Sequence, residues 1–304
     1  MKKRNAIALM ITFFFIMAIS VVLGLSLKYL NNATGEVQKE NFTLQTSLIL
    51  DDVLNILKTS ADLDAIVKEN SKDALYVFLA EASFIPFESN GVSIVIELKS
   101  ARSMVNINTL VDVNATVYSD RRRSLEEYFI NYNVNSEYIN MLVDNMSKIK
   151  EDMSYNSAIF NEKPYLFRDY IASREHLKII NDFYSKSYND NSLSKIDFEN
   201  LFYFSTDREY VIDLNYINAE IWRLLIRCDE LRAEELSIGS GSYEKLEDLG
   251  LNEAEELALK HFNVSFYEPY LDVNVKISEG SSTANIRFEY DMKTKQGSNF
   301  VYDI

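Results

Sequence analysis

Catalysis or metal binding requires nucleophiles, acids and bases or ligands gathered at one place, and this chain offers few of them. Its 304 residues include two histidines, His176 and His261, and one cysteine, Cys228. The histidines lie far apart in sequence and neither is near Cys228, so a histidine-based metal site or a Cys/His or Ser/His nucleophile pair is not indicated. Cys228 follows Trp222, Leu224, Leu225 and Ile226 in a segment with helical patterning. That is the setting of a buried structural thiol, not of an activated thiolate. No H-E-x-x-H, G-x-S-x-G, P-loop or Rossmann glycine pattern occurs. The acidic pairs Asp51/Asp52 and Glu126/Glu127 are consecutive, so on a helix they diverge and solvate a surface. Asp190, Asn191 and Asp197 supply hard oxygens suited to calcium, but their spacing departs from a D-x-[DN]-x-[DN]-G loop, and such residues also favour turns. We therefore expect no enzyme, no cofactor and no assigned metal ligand, with calcium as the one ion kept open. The tyrosines Tyr128, Tyr132, Tyr138, Tyr165, Tyr170, Tyr184 and Tyr188 either fill small helical cores, which burial tendencies favour, or form a partner-binding patch.

The segments around these residues are more telling. Lys2, Lys3 and Arg4 precede an uncharged, mostly apolar run over residues 5–27 that ends at Lys28. About 20 such residues cross a bilayer core as one helix. The flanking cations keep the short N-terminus cytoplasmic and export the rest. The run is longer than a signal-peptide core of about 7–15 residues and ends in a poor cleavage site. A single-pass inner-membrane protein with a periplasmic C-terminal domain is expected. With 31 Lys+Arg against 46 Asp+Glu and a formal net charge of -15, nucleic acid and anionic membrane surfaces are disfavoured as partners. One cysteine forms no disulfide within the chain. Three prolines and eight glycines leave no linker, and no internal repeat is evident.

Periodicity divides the remainder. Residues 36–58 lack Pro and Gly, and Phe42, Ile49, Val53 and Ile56 fall on one helical face. A second helix is expected over 71–83. Val92, Ile94, Ile96 and Leu98 then alternate with polar residues, as in a half-buried strand, and 104–110 could pair with it. Residues 121–262 read as helices over 124–131, 135–150, 164–188, 197–204, 217–235 and 252–262. Period two returns with Leu271, Val273, Val275 and Ile277, followed after a turn by Ala284, Ile286, Phe288 and Tyr290, and a short strand closes the chain at 299–303. A lone hairpin is marginal, so both strand sets should form one sheet packed on the first helix. The helical block then interrupts an α+β domain.

This order, with several short motifs, resembles the minor pseudopilin K family of type II secretion systems (general secretion pathway protein K). Residues 4–10 (Arg-Asn-Ala-Ile-Ala-Leu-Met) are similar to that family's opening. The resemblance implies prepilin peptidase cleavage after Ala6, with Ile7 as the mature terminus, although Ala stands where the usual residue is Gly. Most pilins carry Glu at the fifth mature position; Ile11 stands there, and the K family likewise lacks the Glu. A carboxylate in an apolar filament core is costly without a partner amine, and a tip subunit has no neighbour above to supply one. Residues 105–110 (Val-Asn-Ile-Asn-Thr-Leu) and 212–221 (Ile-Asp-Leu-Asn-Tyr-Ile-Asn-Ala-Glu-Ile) resemble the family's Asn-Leu-Asn strand and its Ile-Asn-Val-Asn-Thr-Ala-x-x-Glu-Val segment. The implied fold is α+β: a long N-terminal pilin-like helix on a small antiparallel sheet, with a large all-helical domain inserted between the sheet halves. The implied segments are a leader (1–6), a transmembrane and filament-core helix (7–28), the pilin-like helix and first strands (29–118), the inserted helical domain (119–262) and closing strands (263–304). The implied role is initiating and capping a pseudopilus for protein export. The implied partners are other minor pseudopilins of the tip complex, prepilin peptidase and the inner-membrane secretion platform. The competing expectation is a single-pass membrane-anchored periplasmic binding or sensor module.

Overall fold

The apolar stripe over 36–58 forms a continuous helix, α1 (Gly35–Thr59), in the computed structural model, which describes residues 35–89, 91–112, 114, 116–280 and 282–303. After α1 come helices α2 (Ala61–Glu69) and α3 (Lys72–Ala82), then strands β1 (Phe84–Ser89), β2 (Val92–Ser100) and β3 (Val105–Asn106). The middle of the chain holds α4 (Ser119–Ile130), α5 (Glu137–Asn145), α6 (Ile159–Glu162), α7 (Arg174–Tyr188) and α8 (Phe198–Leu201). Strands β4 (Phe202–Tyr203) and β5 (Ile212–Asp213) precede α9 (Ala219–Ile226), α10 (Glu230–Ile238) and α11 (Glu253–Leu259). Strands β6 (Val264–Ser265), β7 (Tyr270–Glu279), β8 (Ser282–Asp291) and β9 (Gln296–Asp303) complete the order. The chain divides into two units: one comprises the chain up to Ala101 and from Pro269 onward, the other Arg102–Glu268.

In the first unit, Phe42, Ile49, Val53 and Ile56 are all buried, joined by Leu50 and Leu57, and α1 packs on β7 and β8. The corner after α1 is built from caps. Ser60 accepts the Leu63 N–H to start α2, Asn70 ends it in a left-handed conformation (φ 49°), and Ser71 accepts the Ala74 N–H to start α3. The sheet order is β1-β2-β7-β8-β9, antiparallel throughout. Its helix-facing rows are in register, as in Ile96–Val275–Ile286 and Leu98–Val273–Phe288. On the opposite face, Lys276 pairs with Glu97 at 2.7 Å and Arg287 grips Asp272 through two bonds of 2.6 and 2.7 Å. Strand β1 has no period-two signature in the sequence. It sits at a sheet edge, where Pro86 costs no ladder bond.

The second unit departs from the sequence reading in instructive ways. Val105–Asn106 does not join β2; β3 pairs parallel with β4 (Val105↔Phe202), and Ile107–Leu110 turns into a 3-10 helix. Likewise β5 pairs parallel with β6 (Ile212↔Val264). These pairings place residues 102–118 with the helical unit, which is otherwise helical. The expected helix over 164–188 begins only at Arg174, with Ser173 as its cap, because the Ile171 N–H and carbonyl are both taken by the Asn108 side chain. The helix expected over 217–235 is two helices, α9 and α10. Arg227 breaks it in a left-handed conformation (φ 57°), its guanidinium held by Ser124 Oγ and the Asp120 carbonyl, and Asp229 caps α10. The overall architecture is α+β: a helix-backed antiparallel sheet interrupted in sequence, between β2 and β7, by a helical unit.

Candidate functional site

The two motifs that carry the family resemblance build the same structure twice. Strand β3 ends at Asn106, whose side chain turns the chain out of the ladder. Its Oδ1 accepts the Asn108 and Ser205 N–H groups at 3.2 Å, while its Nδ2 donates to the Ser205 and Asp207 carbonyls. Asn108 then clasps Ile171, accepting its N–H at 2.8 Å and donating to its carbonyl at 3.0 Å, and donates also to the Ser205 carbonyl. In the second copy, Asp213 Oδ1 accepts the Asn215 N–H at 3.0 Å and its Oδ2 accepts the Glu268 N–H at 2.8 Å. Asn215 clasps Tyr243 as Asn108 clasps Ile171, accepting the Tyr243 and Gly241 N–H groups and donating to the Tyr243 and Phe266 carbonyls. All four side chains are buried.

The helical unit is thus an internal repeat, contrary to the sequence reading. Each module runs short strand, Asn/Asp-centred turn, two helices (the first module adds the one-turn α6), a clasped backbone residue, further helix, and a closing parallel strand. Val105-Asn106-Ile107-Asn108-x-Leu110 and Ile212-Asp213-Leu214-Asn215-x-Ile217 are its sequence trace. These amides are saturated by backbone partners, so they position chain and leave no group free to react.

A second polar cluster joins the first helices of the two modules. Glu220 on α9 accepts the hydroxyls of Tyr128 on α4 and of Tyr132 in the turn after it, both at 2.6 Å, and the Arg223 guanidinium at 2.9 Å. Burial opposes ionisation of Glu220, but the two hydroxyls and Arg223 outweigh it and hold the carboxyl below its usual range. Tyr128 is pushed far above the usual phenol range, by burial first and then by its bond to Glu220. Cys228 is half-buried against the core, and burial lifts its thiol to about 11, which suppresses the reactive thiolate. His176 is buried with both ring nitrogens engaged: Nδ1 accepts the Ala172 N–H at 3.2 Å, which leaves Nε2 to donate to Asn145 Oδ1 at 3.1 Å.

The other candidates from the sequence do not converge. Ala6, Ile7, Ile11 and the apolar run over 5–27 lie outside the described residues. Among the described residues, no helix is long and apolar enough to cross a membrane. Asp190 accepts the Tyr184 hydroxyl and the Ser192 N–H, while Asp197 caps α8 through the Glu199 and Asn200 N–H groups. Both act as turn residues. Among the described residues no three His, Cys, Asp or Glu side chains gather as a metal site. Glu126 and Glu127 pair with Arg122 and Arg123 one turn away on the surface of α4. The tyrosines divide: Tyr128, Tyr138 and Tyr184 fill the core, whereas Tyr165 and Tyr188 are exposed.

On α1, Leu44 and Leu48 are 64 % and 48 % exposed, one turn apart and turned away from the buried stripe. No family model matches this chain, and no curated protein matches it. Among solved structures it is similar to a chain from the crystal structure of the GspK-GspI-GspJ complex of the enterotoxigenic Escherichia coli type 2 secretion system. That likeness covers 86 % of this chain and 96 % of that chain, with 12 % sequence identity and a TM-score of 0.47.

Proposed function

We propose that this protein is a non-enzymatic minor pseudopilin that starts and caps a type II secretion, or related type IV pilus-like, pseudopilus. The observation that carries this reading is the interruption of the sheet: a helix-backed antiparallel sheet whose chain leaves at Ala101 and returns at Pro269 around a helical unit. The sequence features at the start of the chain agree with it. In this reading the apolar run over 7–28 holds the precursor in the inner membrane, with the folded part in the periplasm. After prepilin peptidase cuts at Ala6–Ile7, the same helix packs with sister helices of other minor pseudopilins on the secretion platform. Leu44 and Leu48 continue that apolar contact beyond the membrane. Ile11 removes the carboxylate that a subunit with no neighbour above cannot neutralise.

The test is the N-terminal sequence of the protein made with and without active prepilin peptidase. The expected result is a mature chain beginning at Ile7 only when the peptidase is active. An N-terminus unchanged by the peptidase would overturn the reading.

A further inference from the structure

The two modules of the helical unit differ in what covers their second helix. In the first module α5 is buried along nearly its whole length, from Tyr138 to Asn145. The chain after it makes a long excursion, residues 146–170, before reaching the clasped Ile171. That excursion folds back on the end of α5: Asp144 accepts the Asn156 and Ser157 N–H groups at 3.0 and 2.7 Å, and Asp169 N–H donates to the Ser147 carbonyl. Its charges balance, four cations against four carboxylates, and two of the cations sit on aromatic rings: Lys150 and Arg168 lie over the Tyr155 ring at 5.3 and 5.2 Å, and Arg168 over Phe160 at 3.8 Å.

The second module lacks this excursion. After α10 the chain turns at Gly239, where any side chain would collide with the Tyr243 ring, and reaches the clasped Tyr243 almost at once. Only Ala233 and Leu236 of α10 are buried. Leu231 and Ile238 are 75 % and 86 % exposed, and with the exposed Glu234 and Glu235 they form one helical face at the spacing i, i+3, i+4, i+7. From Asp229 to Glu256 there are ten carboxylates against two cations, Arg232 and Lys245.

We propose that this face of α10 docks a cationic, apolar-ridged segment of a protein partner, in the position that residues 146–170 take on α5. Charge selects the occupant. A second copy would bring the same carboxylates against themselves, and an anionic lipid surface would be repelled, whereas Lys and Arg flanking apolar side chains match both features of the face. The inference concerns the second module alone and stands whether or not the N-terminus is processed.

The test uses the full chain in a neutral detergent and two fluorescent peptides, one of repeated Leu-Lys-Lys-Leu and one of repeated Leu-Glu-Glu-Leu. Fluorescence anisotropy should show binding of the first and none of the second. Leu231→Ser/Ile238→Ser should weaken binding about tenfold, as expected for lost apolar contact at an interface centre. Glu234→Lys/Glu235→Lys should do the same, while the same charge change at Glu151→Lys/Asp152→Lys should leave it within about twofold. Thermal melts of each variant confirm that these exposed changes leave the fold intact, and Ile238→Ser alone serves should the double variant unfold. Equal losses from both charge variants, or no loss from the apolar ones, would mean non-specific attraction and overturn the proposal. So would a dimer that Leu231→Ser/Ile238→Ser dissolves, since the face would then belong to a second copy.

Discussion

Two buried ionisable groups in the helical unit oppose each other in their response to pH. Asp213 keeps both oxygens on backbone N–H groups, yet burial outweighs these bonds and lifts its carboxyl from the usual range to about 6. Its folded-state value is above its unfolded one, so its contribution is full below about pH 4 and is lost as pH rises through about 6, a change of roughly 3 kcal/mol. His176 works the other way. Burial lowers its folded-state value, and protonation would set an Nδ1–H against the Ala172 N–H, so its contribution is present above its unfolded value and fades on acidification. Removing one group should expose the other. Chemical denaturation from pH 4 to 8 should show Asp213→Asn losing the decline between about pH 4 and 6, and His176→Gln losing the fall on the acid side. An unchanged profile in Asp213→Asn would mean that Asp213 titrates alike folded and unfolded. Sequence reading passed over both residues in these roles, since what perturbs them is burial by partners remote in the chain.

At the scale of elements, what could be read from the sequence follows the range of the interaction that makes each element. Helix α1 and strands β2, β7 and β8 have local signatures, a stripe or an alternation set by one packed face, and Phe42, Ile96 and Val275 lie where their periods place them. Strand β1 carries no such signature, and β3 to β6 are two residues each, too short to show a period. Their strand identity comes from partners that the turns place beside them, as when Asn106 binds Ser205. The repeat was hidden for the same reason: its constant part is a few asparagine-centred bonds, and its intervening loops differ in length. Those bonds make Asn215 the weak point of the second module. Asn215→Ala strands the N–H groups of Gly241 and Tyr243 and the carbonyls of Tyr243 and Phe266 in the interior. A loss of at least about 3 kcal/mol is expected, since several buried backbone groups lose partners together. Hydrogen exchange should show α10 and α11 opening while β7 and β8 keep their protection. Uniform loss across the chain would instead mean that the two units unfold as one.

At the scale of the molecule, the sheet is continuous although its chain is not. Strands β2 and β7 pair along their whole length, from Val92↔Glu279 to Ser100↔Leu271, and the Ala101 N–H donates to the Tyr270 carbonyl at 2.9 Å. The two ends that bound the helical unit therefore stand opposite each other as the last pair of an antiparallel ladder. A two-residue Asn-Gly turn can join such a pair directly, because its left-handed twist positions match a hairpin. Replacing residues 102–269 by Asn-Gly should thus leave the five-stranded sheet and α1 intact, with cooperative melting and the circular-dichroism minimum of an antiparallel sheet. In the proposed role the helical unit adds bulk that obstructs any subunit stacked above, which confines the full-length chain to the filament tip. The shortened chain would lose that bulk but keep the N-terminal segment proposed to enter the filament. Labelled filaments assembled with it should show the protein along the shaft as well as at the tip. If the shortened chain folds and still appears only at the tip, steric obstruction is not what ends the filament. The proposed role would then rest on the sequence around Ile11, which stands where most pilins carry a carboxylate, and Ile11→Glu becomes the variant to compare.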